Sequence, residues 1–204
     1  MSKFAPRPLR ADENPGSGDI FFQRGYQLPS VLIRLGTGSD INHTGVIVAP
    51  TDTPGHWVVA EANRPGFVVA RKENADAYVV RLSDDPIVRS QVASRAYALV
   101  SEELGYDFIA IARFSLNIIS QLRPGTTIGK VLLTVPAAAL RLVARLALRF
   151  LPKEPANRVI CSGAVRRILR EVFGEEGWAD ELPARDDETS PAVLLRAVYG
   201  RRRW

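Results

Sequence analysis

Between residues 19 and 82 the chain carries five short runs rich in β-favouring residues, and the three central ones follow each other across turns of only a few residues. Strands joined by such short connections must run antiparallel, because a parallel return needs a crossover of about a dozen residues or more. The runs lie at 19–24, 43–49, 56–63, 67–71 and 78–82, and the central three predict an antiparallel meander. From Pro86 the pattern changes. Ile87, Val88, Val92, Ala96, Leu99, Val100 and Leu104 recur at three- and four-residue intervals, which predicts a helix stopped by Gly105. A second helical run begins at Tyr106 and reaches about Leu122, before Pro124 and Gly125. A third covers 165–172 after an apolar approach to Cys161, and a closing segment starts at Ser190 and Pro191. Strands followed by helices define an α+β chain, a small antiparallel sheet or barrel packed against helices.

At 204 residues, 46% hydrophobic and 24% charged, the sequence fits one domain with an insertion. Residues 1–17 read as a disordered lead-in broken by Gly16-Ser17-Gly18, 18–200 as the domain, and 201–204 as a basic tail. The insertion, about 113–152, is unusual. Its stretch 128–151 is almost wholly apolar except for Lys130, Thr134 and three arginines, Arg141, Arg145 and Arg149, spaced four apart along one helical stripe. Pro136 and the regular arginines argue against a membrane span. Two readings stand: a core helix with one wet face, or a helix lying on a membrane surface.

The net charge of +5 is spread along the chain, and no aromatic RNA-binding strand, cysteine/histidine finger or basic zipper accompanies it, so nucleic acid is not an expected partner. One cysteine precludes an internal disulfide and suits a reducing compartment. The basic start of the chain lacks the apolar run of a secretory signal, so the expected location is cytoplasmic, with peripheral contact to an anionic membrane if the arginine stripe docks there.

That single cysteine, Cys161, stands where a helix start is expected. Unpaired N–H groups there stabilise a sulfur anion, although a lone cysteine is commonly a small buried hydrophobe. A thiol nucleophile also needs a base. Of the two histidines, His43 opens a strand beside the uncrowded Gly45, whereas His56 follows an exposed turn at Pro54-Gly55; His43 is the better-placed base. Glu61 interrupts an apolar strand, where it either faces solvent by alternation or is buried against a partner such as the His43 imidazole. Asp107 reads as a helix cap, and Tyr106 either packs or lends its hydroxyl to an oxyanion.

The order Gly18-Asp19-Ile20, His43-Thr44-Gly45, Ala60-Glu61-Ala62, Tyr106-Asp107, Cys161-Ser162 and Ser190-Pro191 resembles the circularly permuted papain-like hydrolases of the NlpC superfamily, especially their YiiX-like branch. Lecithin retinol acyltransferase is similar in this permuted order. The resemblance spans most of 18–195 and implies a permuted papain-like fold. It further implies Cys161 as nucleophile, His43 as base and Glu61 as the acid orienting the ring, with Tyr106 and Ser162 near substrate or oxyanion. Asp19 and Pro191 match structural positions. The expected activity is hydrolysis of an amide, ester or thioester through an acyl-enzyme, on a cell-wall peptide or lipid acyl group, without cofactor or metal. The insertion and Ser162-Gly163, in place of bulkier residues, depart from the pattern and bear on the substrate pocket. The alternative is a noncatalytic membrane-surface or scaffold protein using 128–151.

Overall fold

The structure is a computed structural model that describes residues 6–9, 13–24, 39–63, 66–73, 77–107, 109, 111–112, 142–143, 145–146, 149, 158–174, 182 and 189–199. Its strands are β1 (Arg7–Pro8), β2 (Ile20–Gln23), β3 (His43–Pro50), β4 (His56–Asn63), β5 (Gly66–Glu73), β6 (Ala77–Arg81), β7 (Gly105–Tyr106) and β8 (Arg158–Val159). The helices are α1 (Pro86–Ser101), α2 (Cys161–Phe173) and α3 (Pro191–Tyr199). The strands form one sheet in the order β1-β6-β2-β3-β4-β5-β7-β8, antiparallel except for the β7–β8 pair. The sheet is open rather than a closed barrel, with β1 and β8 at its edges.

Strand alternation divides the apolar residues between the two faces. Ile20 and Phe22, Val46 and Val48, and Ala60 and Ala62 join the principal core with Val92, Ala96 and Leu99 of α1 and Ala164, Val165, Ile168 and Leu169 of α2. Phe21, Ile47, Trp57 and Val59 form a second cluster from the intervening positions. A register shift between Ile47 and Ala49 inserts one extra residue in β3 against β4.

The central meander is as expected, but β6 does not extend it. The strand returns to the far side of β2, pairing Val80 with Ile20 and Tyr78 with Phe22. The lead-in also differs from expectation: rather than disordered throughout 1–17, it contributes β1, in which Arg7 and Pro8 pair with Arg81 and Val80. Charge holds it there. Glu13 accepts two bonds from the Arg7 guanidinium, at 2.5 and 2.6 Å, and one from Arg81 Nη1 at 3.2 Å. Arg81 also spans the carboxylate of the fully buried Asp19, Nε to Oδ1 at 3.1 Å and Nη2 to Oδ2 at 2.9 Å. Asp19 is thus a structural residue. Just before it, Gly18 lets the chain pass close against α1: its φ is +84°, and a Cβ there would lie 2.2 Å from the Arg89 carbonyl oxygen.

Helix α1 begins as its sequence indicates, with Pro86 in the first turn and the Asp85 carboxylate accepting from the Ile87 N–H at 2.9 Å. It ends earlier than the apolar spacing suggests. Glu102 and Glu103 turn back onto the carbonyls of Leu99 and Val100, and Glu103 has φ +50°. Leu104 therefore leaves the helix, stays buried, and accepts the Phe67 N–H at 2.9 Å. Gly105 and Tyr106 form a strand rather than a helix stop and the next helix's start; a helical turn follows, with the Ile111 N–H bonded to the Asp107 carbonyl. Helix α2 starts at Cys161, where a helix start is expected, so the first turn at 161–164 joins the run 165–172 in one helix. Apart from the few residues given above, the insertion at 113–152 and the tail at 201–204 lie outside the described residues.

Candidate active site

His43 is the first residue of β3, and Gly45 stands opposite Glu61 on β4. Two-residue alternation then puts His43 and Glu61 on one face as diagonal neighbours, the arrangement that lets a long carboxylate reach an imidazole. His43 Nε2 and Glu61 Oε2 are 2.7 Å apart. Glu61 is 4% exposed, so it does not face solvent. Gly45 allows the close packing beneath this pair. A Cβ at residue 45 would meet the Ala60 carbonyl oxygen at 2.6 Å and the Phe21 ring at 2.7 Å. The buried Phe21 ring flanks His43, their centroids 5.9 Å apart.

Cys161 approaches from α2, which packs on β3. The His43 side chain and the backbone at Thr44 and Ser162 all favour its thiolate. Since Nε2 faces Glu61, Nδ1 is the ring nitrogen left for sulfur. The first bond of α2 runs from the Ala164 N–H to the Ile160 carbonyl at 2.9 Å. The N–H groups of residues 161–163 precede it and project from the helix start, toward which negative charge is drawn.

The protonation states are coupled. Burial pushes the Cys161 thiol up, but the hydrogen bond and charge of His43, with the Thr44 and Ser162 bonds, bring it below its usual value. Burial pulls His43 down, yet its bonds to Cys161 and Glu61 and the charge of Cys161 raise it to about 9. Burial likewise opposes ionisation of Glu61, while His43 and the nearby Lys72 together hold it at about 2. The three shifts run the same way, each toward its charged form: thiolate, imidazolium and carboxylate.

Lys72 was not among the residues singled out from sequence. Its Nζ donates to the same Glu61 Oε2 at 2.5 Å and lies 4.6 Å from the Phe21 ring centroid. The sequence pattern ended the strand at Arg71, whereas β5 continues to Glu73 and alternation turns Lys72 inward. The useful signal was there: Val68, Ala70 and Lys72 share a face, and Val68 pairs with Glu61.

Ser162 adjoins the nucleophile, but its hydroxyl is committed elsewhere, donating to the Thr189 carbonyl. Arg166 Nη1 bonds the Thr189 hydroxyl at 3.2 Å, so α2 holds the segment that leads into α3. Ser162 meets sulfur through its backbone instead. The backbone of Tyr106 pairs with Val159 in β7–β8, just before Cys161, while its side chain lies outside what is described. His56 lies apart from Cys161, His43 and Glu61, its Nδ1 donating to the Pro54 carbonyl at 3.3 Å. Among the described residues, no group of three or more histidine, cysteine, aspartate or glutamate side chains is disposed to hold a metal ion. No helix among them is long and apolar enough to cross a membrane. No protein-family model matches the chain, and no curated protein matches it significantly.

Proposed function

We propose that this protein is a thiol-dependent hydrolase of acyl compounds, related to the permuted papain-like enzymes its motif order resembles. The observation that carries this reading is the His43 ring held 2.7 Å from Glu61 and acting on Cys161, so that the thiol is shifted down and the imidazole up. A merely buried cysteine has no need of an imidazolium. In the reaction, the Cys161 thiolate attacks the carbonyl carbon of an amide, ester or thioester. The tetrahedral oxyanion is stabilised by N–H groups at the start of α2. His43 gives its proton to the departing amine, alcohol or thiol as the carbon–leaving-group bond breaks, leaving a thioester on Cys161. Neutral His43 then takes a proton from water, whose hydroxide attacks the thioester carbonyl. Collapse releases a carboxylic acid and restores the thiolate–imidazolium pair. Glu61 holds the ring throughout and stabilises its positive form.

The substrate classes that suit this chemistry are cell-wall peptides and lipid acyl groups, and a single reduced cysteine fits a cytoplasmic enzyme. A specific surface favours lipid. Leu142, Val143 and Leu146 are exposed within helical backbone, and Arg145 and Arg149 are exposed beside them. Projected at helical spacing, the leucines and Arg149 share one side, an arrangement that can rest apolar groups in an anionic interface while guanidinium heads stay in the headgroup layer. The same surface would serve a noncatalytic membrane-bound protein.

One experiment separates the two readings. The protein is exposed to an electrophilic acyl probe with and without anionic vesicles, and peptides are mapped. The hydrolase reading predicts covalent label on Cys161, lost in His43→Ala. Vesicle flotation by folded protein that never labels would favour the noncatalytic reading.

A further inference from the structure

We propose that Lys72 is a positioning residue of the thiol site, fixing the Glu61 carboxylate and limiting how tightly it binds the His43 proton. This inference rests on Cys161 acting with His43, and it adds a fourth member that the motif pattern does not contain. Glu61 Oε2 receives two donors, His43 Nε2 at 2.7 Å and Lys72 Nζ at 2.5 Å. Two donors converging on one oxygen restrict rotation of the carboxylate more than either alone. The ammonium is held in turn, since the Phe21 ring lies 4.6 Å from Nζ and only 19% of the Lys72 side chain is exposed. A lysine placed merely for solubility would extend into water instead.

The charges give this placement a consequence. Thiolate, imidazolium and carboxylate together carry one net negative charge in a largely buried site. Lys72 brings the group to neutrality, which lessens the penalty of holding those charges away from water. It also acts on the proton. The Glu61 carboxylate strengthens the hold of His43 on its proton, and the Lys72 charge opposes that. An imidazolium held too tightly is a poor acid toward the leaving group, so a cation behind the carboxylate suits the second half of the reaction. The charged groups converging here are Glu61 from β4, His43 from β3 and Cys161 from the start of α2, with the neutral Phe21 from β2 and Asn63 beside Glu61.

The test compares wild type, Lys72→Met and Lys72→Arg by the pH dependence of acyl-ester turnover and by NMR titration of the His43 ring. Lys72→Met should titrate His43 at higher pH, move the alkaline limb of kcat the same way, and lower kcat by about ten- to a hundredfold. Lys72→Arg should return both towards wild type, because it keeps the charge. A denaturation midpoint measured on each variant separates this from loss of folded protein. If Lys72→Met leaves the His43 titration unchanged, or if Lys72→Arg behaves like Lys72→Met, Lys72 is not a positioning residue. Wild type that turns over no acyl ester would instead count against the hydrolase reading, and the NMR titration would still decide the role of Lys72.

Discussion

Cys161→Ala is expected to reduce acyl-ester hydrolysis by at least about 10³-fold while leaving a folded protein. The substitution removes one sulfur from a helix start and leaves the remainder of α2 in the core. The rate loss has a chemical cause: without sulfur no acyl-enzyme forms, and water must attack the carbonyl directly. His43→Ala should cost about 10²–10⁴-fold, because it removes the leaving-group acid and frees the thiol from the ion pair. The double variant should be little slower than Cys161→Ala alone, since base and nucleophile act as one unit. Rates with a p-nitrophenyl acyl ester, checked by circular dichroism for folding, measure all three. Additive losses would mean that the two side chains act separately.

The largest stability effect is expected away from the thiol. Asp19→Ala should destabilise the protein by about 2–4 kcal/mol, because it takes the buried carboxylate from the Arg81 guanidinium and leaves it only that of Glu13. Asp19 is fully buried, takes both its Arg81 bonds through separate oxygens, and accepts the Gly16 N–H through Oδ2 at 2.9 Å. Its main chain is engaged too, exchanging with β3 where the Ile47 N–H reaches the Asp19 carbonyl at 2.8 Å. The loss should therefore loosen the lead-in together with the β2–β6 pairing. Denaturant titration gives the magnitude. Removing the Arg81 charge as well, as Asp19→Ala/Arg81→Met, should recover part of it, because the guanidinium that has lost its buried carboxylate and keeps only that of Glu13 is then gone too. A double variant less stable than Asp19→Ala by the full cost of a second independent loss would contradict this.

Much of the sheet was legible in sequence because its central strands are long, alternate regularly and are punctuated by Pro50, Gly55 and Gly66. The boundaries of β3 and β4 fall within a residue of expectation. What the pattern could not convey was choice of partner. Nothing local sends β6 back to β2, since that depends on Val80 reaching the core and on Arg81 meeting Asp19 across 62 positions of sequence. Two-residue strands have no period to detect, which is why β1 falls within the expected disordered lead-in and Gly105 and Tyr106 read as one helix's stop and the next one's start. Leu104 illustrates the opposite error. Its spacing continues the α1 stripe, and it is buried as that spacing implies, but the backbone has already turned at Glu103.

The thiol site divides in the same way. His43, Glu61 and Cys161 were identifiable because each residue type is conspicuous in its setting: a histidine opening a strand, a carboxylate in an apolar run, and one cysteine at a helix start. Their joining depends on strand register, which a one-residue slip would have reversed. Ser162 shows the limit of adjacency, since its hydroxyl follows the helix surface to Thr189 while its amide turns to sulfur. Lys72 was hidden by two residues of strand beyond the obvious β pattern, although it completes the environment of Glu61.

The most direct measurement is the rate at which iodoacetamide alkylates Cys161 as a function of pH, in wild type and in His43→Ala. An ordinary thiol of this kind titrates at 9.0, and Cys161 is lowered from that value by its bond to His43. The thiolate should accordingly form below pH 9.0 in wild type, alongside an imidazolium that persists to about pH 9. Turnover should rise as Cys161 loses its proton and fall as His43 loses its own, the two limbs belonging to the pair rather than to either residue alone. In His43→Ala the alkylation profile should move upward, because burial then acts on the thiol without an opposing cation. Profiles that coincide in the two proteins, both in the range of an ordinary thiol, would contradict a thiolate–imidazolium pair at this site.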